Sequence, residues 1–159
     1  MKELLFLLAF PLVAINCITQ CDDGWVELNT DCFYFHQETR MPWQDARTLC
    51  QELGKSDLAI IDRPNTLREI YMYLVKYDLH DPFWIGGSDI EAEGNWTWVD
   101  DSGIAPGTPF WALHSGLFGW SHEPSGGTSE NCLALDGERM FYFNDHNCND
   151  VLHPLCMMV

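Results

Sequence analysis

Residues 130–148 read ENCLALDGERMFYFNDHNC, a stretch with a cysteine close to each end. Two apolar runs inside it, residues 132–135 and 140–143, are predicted to be short strands. Side chains with oxygen atoms precede both cysteines: Glu130 comes before the first, and Asn144 and Asp145 come before the second. The stretch is therefore predicted to combine sheet structure with groups suited to binding.

The composition indicates one folded and strongly acidic domain. A length of 159 residues fits a single domain behind a short leader. Apolar residues make up 47% of the chain, which is enough to build a core. The 8 Lys and Arg residues against 24 Asp and Glu residues give a net charge of −16. Nucleic-acid phosphates and anionic lipids repel such a chain, so nucleic-acid binding is excluded as a function.

The first residues differ in character from the rest of the chain. Lys2 precedes an apolar run, Leu4–Ile15, that is shorter than a membrane span, which needs about 20 residues. The run fits the apolar region of a secretory signal peptide, with cleavage between Ala14 and Thr19. We predict a signal peptide at residues 1–19, a domain at residues 21–159, and a secreted, extracellular protein without membrane insertion. The alternative for the run is a buried N-terminal helix.

Seven cysteines indicate a disulfide-bonded protein. Cys17 lies at the leader boundary and is expected to be removed with it. An even set remains, which predicts three disulfides in an oxidising compartment, although the spacing leaves the pairing open. This set is Cys21, Cys32, Cys50, Cys132, Cys148 and Cys156. Cleavage before Cys17 would leave a further thiol able to join two chains, so a homo-oligomer is an open alternative.

Hydrophobic periodicity predicts two helices among short strands. Residues 42–53 repeat apolar side chains at helical spacing, with Pro42 at the first helical position and Gly54 after the end. A second helical face comprises Leu67, Ile70, Tyr71, Leu74 and Val75. Further strands are predicted at residues 25–28, 32–35, 58–61, 83–87 and 96–98. Residues 106–130 show no element, and a stretch that long is usually functional or held by a ligand such as a cation.

Several motifs follow one another along the chain: Trp84-Ile85-Gly86-Gly87, Glu123-Pro124-Ser125, Glu130-Asn131-Cys132, and Asn144-Asp145 before Cys148. Their order and spacing together resemble a C-type lectin domain in its long form, over residues 21–156. The resemblance implies an α+β fold of two helices packed on antiparallel sheets, with a long calcium-site loop region. It also implies the disulfides Cys21–Cys32, Cys50–Cys156 and Cys132–Cys148.

Four residues of these motifs carry oxygen atoms of the kind that Ca²⁺ takes as ligands: Glu123, Glu130, Asn144 and Asp145. The implied bridge between residues 132 and 148 would bring Glu130 close to Asn144 and Asp145, which predicts a calcium site. The alternative is that these groups are solvated loop carboxylates, as most acidic side chains are.

The proline motif predicts the surroundings of the metal and the type of ligand. The resemblance implies a cis peptide bond before Pro124, which aims Glu123 and Ser125 at the ion. Two neighbouring sugar hydroxyls would bind the ion and exchange hydrogen bonds with its ligands. Glu-Pro-Asn is the mannose-type motif and Gln-Pro-Asp the galactose-type motif, so Glu-Pro-Ser slightly favours mannose-type ligands, with calcium bound more weakly. The predicted metal-binding and carbohydrate-binding residues are Glu123, Ser125, Glu130, Asn144 and Asp145.

The resemblance also predicts a second calcium site. Asp89 and Glu93 match the first two ligands of the family's auxiliary site, and Glu130 is a candidate third. Gly126 and Asn131 stand where further carboxylates are expected, so the alternative is a set of surface carboxylates.

Three aromatic residues lie in the stretch without predicted elements. Trp111 and Phe118 are candidates to stack on a sugar face, because aromatic rings combine a large apolar surface with a defined geometry. Trp120, which stands just before the proline motif, is predicted to be structural.

No enzyme is predicted, since the chain has no Gly-x-Ser-x-Gly or His-Glu-x-x-His motif. The resemblance to small invertebrate lectins implies a secreted, calcium-dependent carbohydrate-binding protein that recognises microbial surface glycans in innate immunity. The alternative is a calcium-independent protein-interaction domain on the same fold, which Ser125 favours and the carboxylates of the predicted site oppose.

Overall fold

A computed structural model describes residues 21–107, 109–116 and 119–159. The predicted signal peptide, Cys17 and Phe118 lie outside the described residues. Within the described ranges, no helix is long and apolar enough to cross a membrane.

Two α-helices and ten strands make up the regular structure of the described residues. The helices are α1 (Trp43–Glu52) and α2 (Pro64–Lys76). The strands are β1 (Val26–Leu28), β2 (Asp31–Phe35), β3 (Ser56–Leu58), β4 (Phe83–Ser88), β5 (Thr97–Trp98), β6 (Leu113–Gly116), β7 (Gly119–His122), β8 (Cys132–Asp136), β9 (Tyr142–His146) and β10 (His153–Met158). Single 3₁₀ turns lie at Gly127–Ser129 and Gly137–Arg139.

One sheet of eight strands forms the frame of the domain. Its order is β1-β2-β10-β4-β8-β9, with β3 paired to β10 and β5 paired to β4. Among the described pairs of this sheet, β10 and β4 run parallel and the others antiparallel. Strands β6 and β7 form a separate antiparallel hairpin. The α+β fold with two helices is confirmed, and the parallel pair is the difference from the expected antiparallel sheets.

Helix α1 packs on the sheet through one apolar face. Trp43, Ala46 and Cys50 are its buried residues, and Trp43 Nε1 donates a hydrogen bond to the Ile85 carbonyl at 2.9 Å. Truncating a buried Trp typically costs about 3–5 kcal/mol, so this side chain contributes substantially to the packing of α1 on β4. Pro42 was predicted at the first helical position. It is instead the N-cap, with extended backbone, and the helix begins one residue later at Trp43.

Helix α2 covers the main core. Pro64 stands in its first turn, where a missing N–H costs nothing. Leu67, Ile70 and Leu74 are buried in the core cluster, as the periodicity predicts, whereas Val75 is exposed. The predicted apolar face is therefore confirmed except at its last position.

Three sequence-based assignments differ from the structure. The strand predicted at 58–61 ends at Leu58, although Ala59 and Ile61 remain buried. The strand predicted at 140–143 starts two residues later, because Met140 and Phe141 have φ values of 58° and 59°, which a strand does not allow. Residues 106–130 contain β6, β7 and a 3₁₀ turn, so the prediction of no element there is wrong.

The three predicted disulfides are confirmed. Their Cα–Cα distances are 5.6 Å for Cys21–Cys32, 5.4 Å for Cys50–Cys156 and 5.1 Å for Cys132–Cys148. The second spans 106 residues and joins α1 to β10. In the chain-entropy account, a loop of that size stabilises the folded state by about 4–5 kcal/mol.

Candidate functional site

The register of β8 and β9 places Asn144 and Asp145 at the centre of the candidate site. Ala134 lies opposite Asn144 and Leu133 lies opposite Asp145. Both polar side chains are buried, and Asp145 is only 2% exposed. Because β8 begins two residues after Glu130, this pairing carries Asn144 and Asp145 towards the loop that ends at Glu130.

Glu123 reaches the same region from the loop after β7. The Glu123–Pro124 peptide bond is cis, as the resemblance implies. The Glu123 backbone N–H donates to the Ala112 carbonyl at 3.0 Å, and the Ala112 N–H donates to the Phe143 carbonyl at 2.8 Å. These two bonds tie Glu123 to β9, and its side chain is 2% exposed.

Asp145 connects β9 to the segment that follows Pro124. Its Oδ2 accepts hydrogen bonds from the backbone N–H groups of Ser125 at 2.9 Å and Gly126 at 2.6 Å. Burial raises the pKa of Asp145 above its ordinary value, and the charge of Glu123 adds to the rise while the backbone donors oppose it. The side chain of Ser125 itself is exposed.

Glu130 packs against a glycine. A Cβ placed on Gly126 would overlap the Glu130 side chain, so Gly126 allows the close approach. Burial raises the pKa of Glu130, and the charges of Asp145 and Glu123 raise it further, while His146 opposes them. The charges of Asp145 and Glu123 thus disfavour the ionised form of Glu130.

Asn144 has an oriented amide. Its Nδ2 donates to Asp136 Oδ2 at 3.2 Å and lies 3.1 Å from His146 Nε2. Because Asp136 and His146 engage Nδ2, the Oδ1 atom of Asn144 is the group available as an acceptor. An amide oxygen is a suitable ligand for a hard cation.

Sequence reasoning missed Arg139 and Asp136. Arg139 Nη1 forms an ion pair with Glu123 Oε1, and Arg139 Nε lies 3.3 Å from Asp136 Oδ2. Arg139 is the one Lys or Arg in residues 130–148, in a chain with three times as many acids as bases. This isolated positive charge could have marked Arg139 as a functional residue. Its pairing with Glu123 depends on the turn that precedes β9, which the sequence does not reveal.

As they stand, the site residues do not enclose a metal position. Among the residues that the structure describes, no three His, Cys, Asp or Glu side chains are gathered so that they could hold a metal ion. Arg139 engages Glu123, and backbone N–H groups engage Asp145. The chemistry of the donor set nevertheless fits calcium, because it consists of carboxylate and amide oxygens.

Two of the residues predicted for a second calcium site, Asp89 and Glu93, approach the segment 127–131. The Asp89 N–H donates to the Asn131 carbonyl at 3.2 Å, and Asp89 Oδ2 accepts from the Gly94 N–H at 2.8 Å. Asp89 Oδ1 and Asn131 Oδ1 are buried and have no hydrogen-bond partner among the described residues. Glu93 is exposed, with Oε1 3.9 Å from the position of a Cβ on Gly127.

The aromatic assignments of the sequence analysis are wrong at two positions. Trp111 is 1% exposed and its Nε1 donates to the Ala105 carbonyl at 3.0 Å, so it is a core residue and offers no face to a sugar. Trp120, predicted to be structural, is 75% exposed on β7. Phe118 lies outside the described residues.

Comparison with known proteins gives consistent matches. Residues 39–158 match the family model described as Lectin C-type domain. CD209 antigen-like protein D from Mus musculus is 31% identical over 140 residues, covering 87% of this chain and 52% of that protein. Perlucin-like protein from Mytilus galloprovincialis is 28% identical over 137 residues, covering 86% of this chain and 81% of that protein. The chain thus spans about half the length of the mouse relative.

Two solved structures have similar folds. The cow C-type carbohydrate-recognition domain of CD23, determined in the presence of a GlcNAc2Man3 oligosaccharide, is 26% identical with a TM-score of 0.65, and the match covers 87% of this chain and 95% of that one. A calcium-independent type II antifreeze protein is 25% identical with a TM-score of 0.65, and the match covers 87% of this chain and 93% of that one.

Proposed function

The chain belongs to the C-type lectin family, and from this premise we propose that it is a carbohydrate-binding protein that uses calcium. The family's domain binds carbohydrates rather than catalysing reactions. The proposed calcium and sugar ligands are Glu123, Ser125, Glu130, Asn144 and Asp145.

One observation carries the proposal: Asp145 and the loop between Glu123 and Glu130 are joined by hydrogen bonds, with Glu123 and Asp145 both 2% exposed and Glu130 packed on Gly126. The pKa of Glu130 is raised by burial and by the charges of Asp145 and Glu123. Like charges in a partly buried site are unfavourable unless a cation offsets them. A divalent cation with a preference for oxygen ligands would offset this repulsion by binding to the carboxylates.

The residues of the site have distinct parts in the proposed mechanism. A bound calcium ion would supply coordination positions for two neighbouring sugar hydroxyls. Glu123 and Glu130 would accept hydrogen bonds from those hydroxyls, and Asn144 would present its amide. Asp145 would fix the loop after Pro124 through Ser125 N–H and Gly126 N–H, which keeps the ligands in register.

The type of sugar follows from the proline motif. Glu123 keeps the mannose-type residue, so mannose-type glycans are the proposed ligands. Ser125 has a short exposed side chain, which reaches a cation less well than an asparagine would. Calcium is therefore proposed to bind more weakly than with the full Glu-Pro-Asn motif.

A second calcium ion is proposed at Asp89, Glu93 and Glu130. Asp89 Oδ1 and Asn131 Oδ1 support it, because both are buried and have no hydrogen-bond partner in the described part of the chain. A buried acceptor without a hydrogen bond is costly, and a cation would satisfy it. Ligation by Asn131 Oδ1 would replace a carboxylate with an amide.

The biological setting is also a proposal. We propose that the protein is secreted and recognises glycans on microbial surfaces in innate immunity. A single site of this kind binds a monosaccharide weakly, with a dissociation constant on the order of 1 mM, or about −4 kcal/mol. Useful affinity for a surface would then need several sites acting together, which a homo-oligomer provides.

The test combines calcium and glycan binding. Equilibrium dialysis with ⁴⁵Ca should show retention at millimolar calcium, and a glycan array should show binding that a chelator abolishes. Asp145→Ala should lose both, with its disulfides intact, while Asp62→Ala, which removes an exposed carboxylate that pairs with Arg63, should behave as wild type. Glycan binding that persists in the chelator, or at full strength in Asp145→Ala, would overturn the assignment.

A calcium-independent protein-interaction domain is the second candidate. The ion pair between Arg139 and Glu123 favours it, because a positive charge already lies on a proposed calcium ligand. The similarity to a calcium-independent antifreeze protein supports it too. The absence of ⁴⁵Ca retention in the same dialysis would select this candidate.

A further inference from the structure

We propose that Arg139 is the built-in counter-ion of the sugar site and that calcium must displace it from Glu123. The inference rests on the proposed function, because it concerns calcium at that site. It assigns a role to a residue that lies outside the family motifs of this chain, and it predicts that the calcium affinity of the protein is set by an arginine as well as by the oxygen ligands.

The first support is the burial of the ion pair. Glu123 is 2% exposed, and the side chain of Arg139, at 33% exposure, reaches its Oε1 from the outside. A buried carboxylate without a compensating positive charge is strongly unfavourable. The Arg139 guanidinium therefore offsets the charge of the buried Glu123 carboxylate.

The second support is the rigidity of the segment that carries Arg139. The Asp136 side chain accepts a hydrogen bond from the Glu138 N–H at 2.9 Å, and the Asp136 carbonyl accepts from the Phe141 N–H at 2.7 Å. Arg139 lies between these two bonds, at the end of the 3₁₀ turn Gly137–Arg139. Its backbone position is thus fixed by local hydrogen bonds, and the guanidinium is directed to Glu123 and Asp136.

The third support is the chemistry of the two cations. A guanidinium group has only N–H donors and cannot ligate a metal, so it cannot share the function of the oxygen ligands. Two positive charges within a few ångströms of the same carboxylate repel each other. Occupation of Glu123 by calcium and close pairing with Arg139 therefore oppose each other.

Displacement is feasible because Asp136 offers Arg139 a second partner. Arg139 Nε lies 3.3 Å from Asp136 Oδ2, the same oxygen that accepts from Asn144 Nδ2. An Arg139 side chain released from Glu123 keeps this carboxylate within reach. Calcium binding thus breaks the ion pair with Glu123 and leaves the one with Asp136. The competition therefore lowers the affinity for calcium without preventing binding.

The decisive measurement is the calcium affinity of the chelator-stripped full domain by isothermal titration calorimetry. Arg139→Gln should bind calcium about tenfold tighter than wild type, because the competing charge is gone. Arg68→Gln is the matched control: it removes the same charge from an exposed arginine that pairs with Glu69 on α2, and its affinity should equal that of wild type.

Thermal unfolding gives the reciprocal readout. In chelator, Arg139→Gln should melt below wild type, because the ion pair between Arg139 and Glu123 is lost. In calcium its melting temperature should rise by more than that of wild type, since stabilisation grows with the ratio of ion concentration to dissociation constant. A merely structural role of Arg139 would lower the melting temperature without tightening calcium binding. Arg139→Lys keeps a charge without the planar fork, so it should fold if Arg139→Gln does not and should show a smaller gain in affinity.

The outcomes separate the inference from the proposed function. Equal calcium affinities in wild type, Arg139→Lys and Arg139→Gln would overturn the role of Arg139 and leave the calcium site standing. No calcium binding by any of them at millimolar concentration would overturn both. Calcium binding by Arg139→Gln that wild type lacks would establish the competition in its strongest form.

Discussion

Single residues in this site have roles that their type alone does not reveal. Asp145 is a conventional carboxylate in the sequence, yet in the fold it is an acceptor for two backbone N–H groups of another segment. Trp111 and Trp120 look equivalent in the sequence, but one lies in the core and the other projects from β7. Trp111 forms a β-bridge with Phe143 of β9, whereas Trp120 lies on the separate β6–β7 hairpin, and this long-range pairing is not readable from periodicity.

The pH dependence of calcium binding follows from two of these carboxylates. Burial raises the pKa of Glu130 and the pKa of Asp145, so protons compete with calcium at milder acidity than for exposed carboxylates. Calcium affinity should therefore fall as the pH drops, beginning above the ordinary Asp and Glu range. Calorimetric titrations between about pH 8 and pH 5 measure this; an affinity that stays constant until the ordinary range would contradict it.

The stability of the calcium-free protein should respond with the opposite sign. A raised pKa means that the folded state holds the proton more tightly than the unfolded chain does, so these two groups favour folding as the pH falls through their folded pKa values. Above those values, their ionised forms reduce stability. Glu130→Gln removes one of the two groups and should flatten the pH dependence of the melting temperature measured in chelator.

Trp120 is expected to contribute to glycan affinity without affecting calcium. Its exposed ring stands three residues before Glu123, on the strand that leads into the proline motif. Trp120→Ala should weaken glycan binding by about 1 kcal/mol, roughly fivefold. Trp120→Phe keeps an aromatic face and should retain most of the affinity. Unchanged glycan binding in Trp120→Ala would show that the ring lies away from the sugar.

At the scale of elements, the loop between β7 and β8 carries Glu123 and Glu130, two residues of the candidate site. The backbone N–H groups of Ser125 and Gly126 in this loop bond to Asp145 of β9, and the 3₁₀ turn Gly127–Ser129 then leads to Glu130. Gly126 lies directly against the Glu130 side chain, and the absence of a Cβ on Gly126 leaves room for it. The loop is therefore sensitive to volume as well as to charge.

Gly126→Ala tests this sensitivity. Its φ of −79° suits any residue, so the substitution adds a methyl group without backbone strain. The new Cβ would overlap Glu130, which should cost about 1–3 kcal/mol in stability and weaken calcium binding. Gly103→Ala, where a Cβ meets nothing within 4 Å, is the control. Calorimetry and chemical denaturation of both variants give the answer, and equal behaviour would contradict the described loop packing.

The sequence allowed the helices, the disulfides and the proline turn to be predicted because each depends on a local pattern or on the resemblance. Boundaries near residues 140–146 were wrong because Met140 and Phe141 adopt left-handed backbone conformations that their types do not favour. Arg139 was missed for a different reason: its pairing with Glu123 depends on two turns that meet only in the folded chain.

At the scale of the whole molecule, the three disulfides constrain loops of very different size. Cys50–Cys156 spans 106 residues, whereas Cys21–Cys32 spans 11. The Cys50→Ala/Cys156→Ala variant should therefore lose about 2 kcal/mol more stability than Cys21→Ala/Cys32→Ala, in the chain-entropy account. Urea denaturation of both double variants measures the difference. Equal losses would mean that strain or residual structure, rather than loop entropy, dominates.

The position of β10 has a consequence for biosynthesis. This strand pairs with β2, β3 and β4, and its Cys156 is bonded to α1. Residues 153–158 thus connect three strands of the sheet, although they are translated after every other described strand. Before these residues leave the ribosome, β3 has no pairing strand, β2 and β4 each lack one neighbour, and the Cys50 thiol lacks its partner, so native oxidation of Cys50 must wait until translation has passed β10.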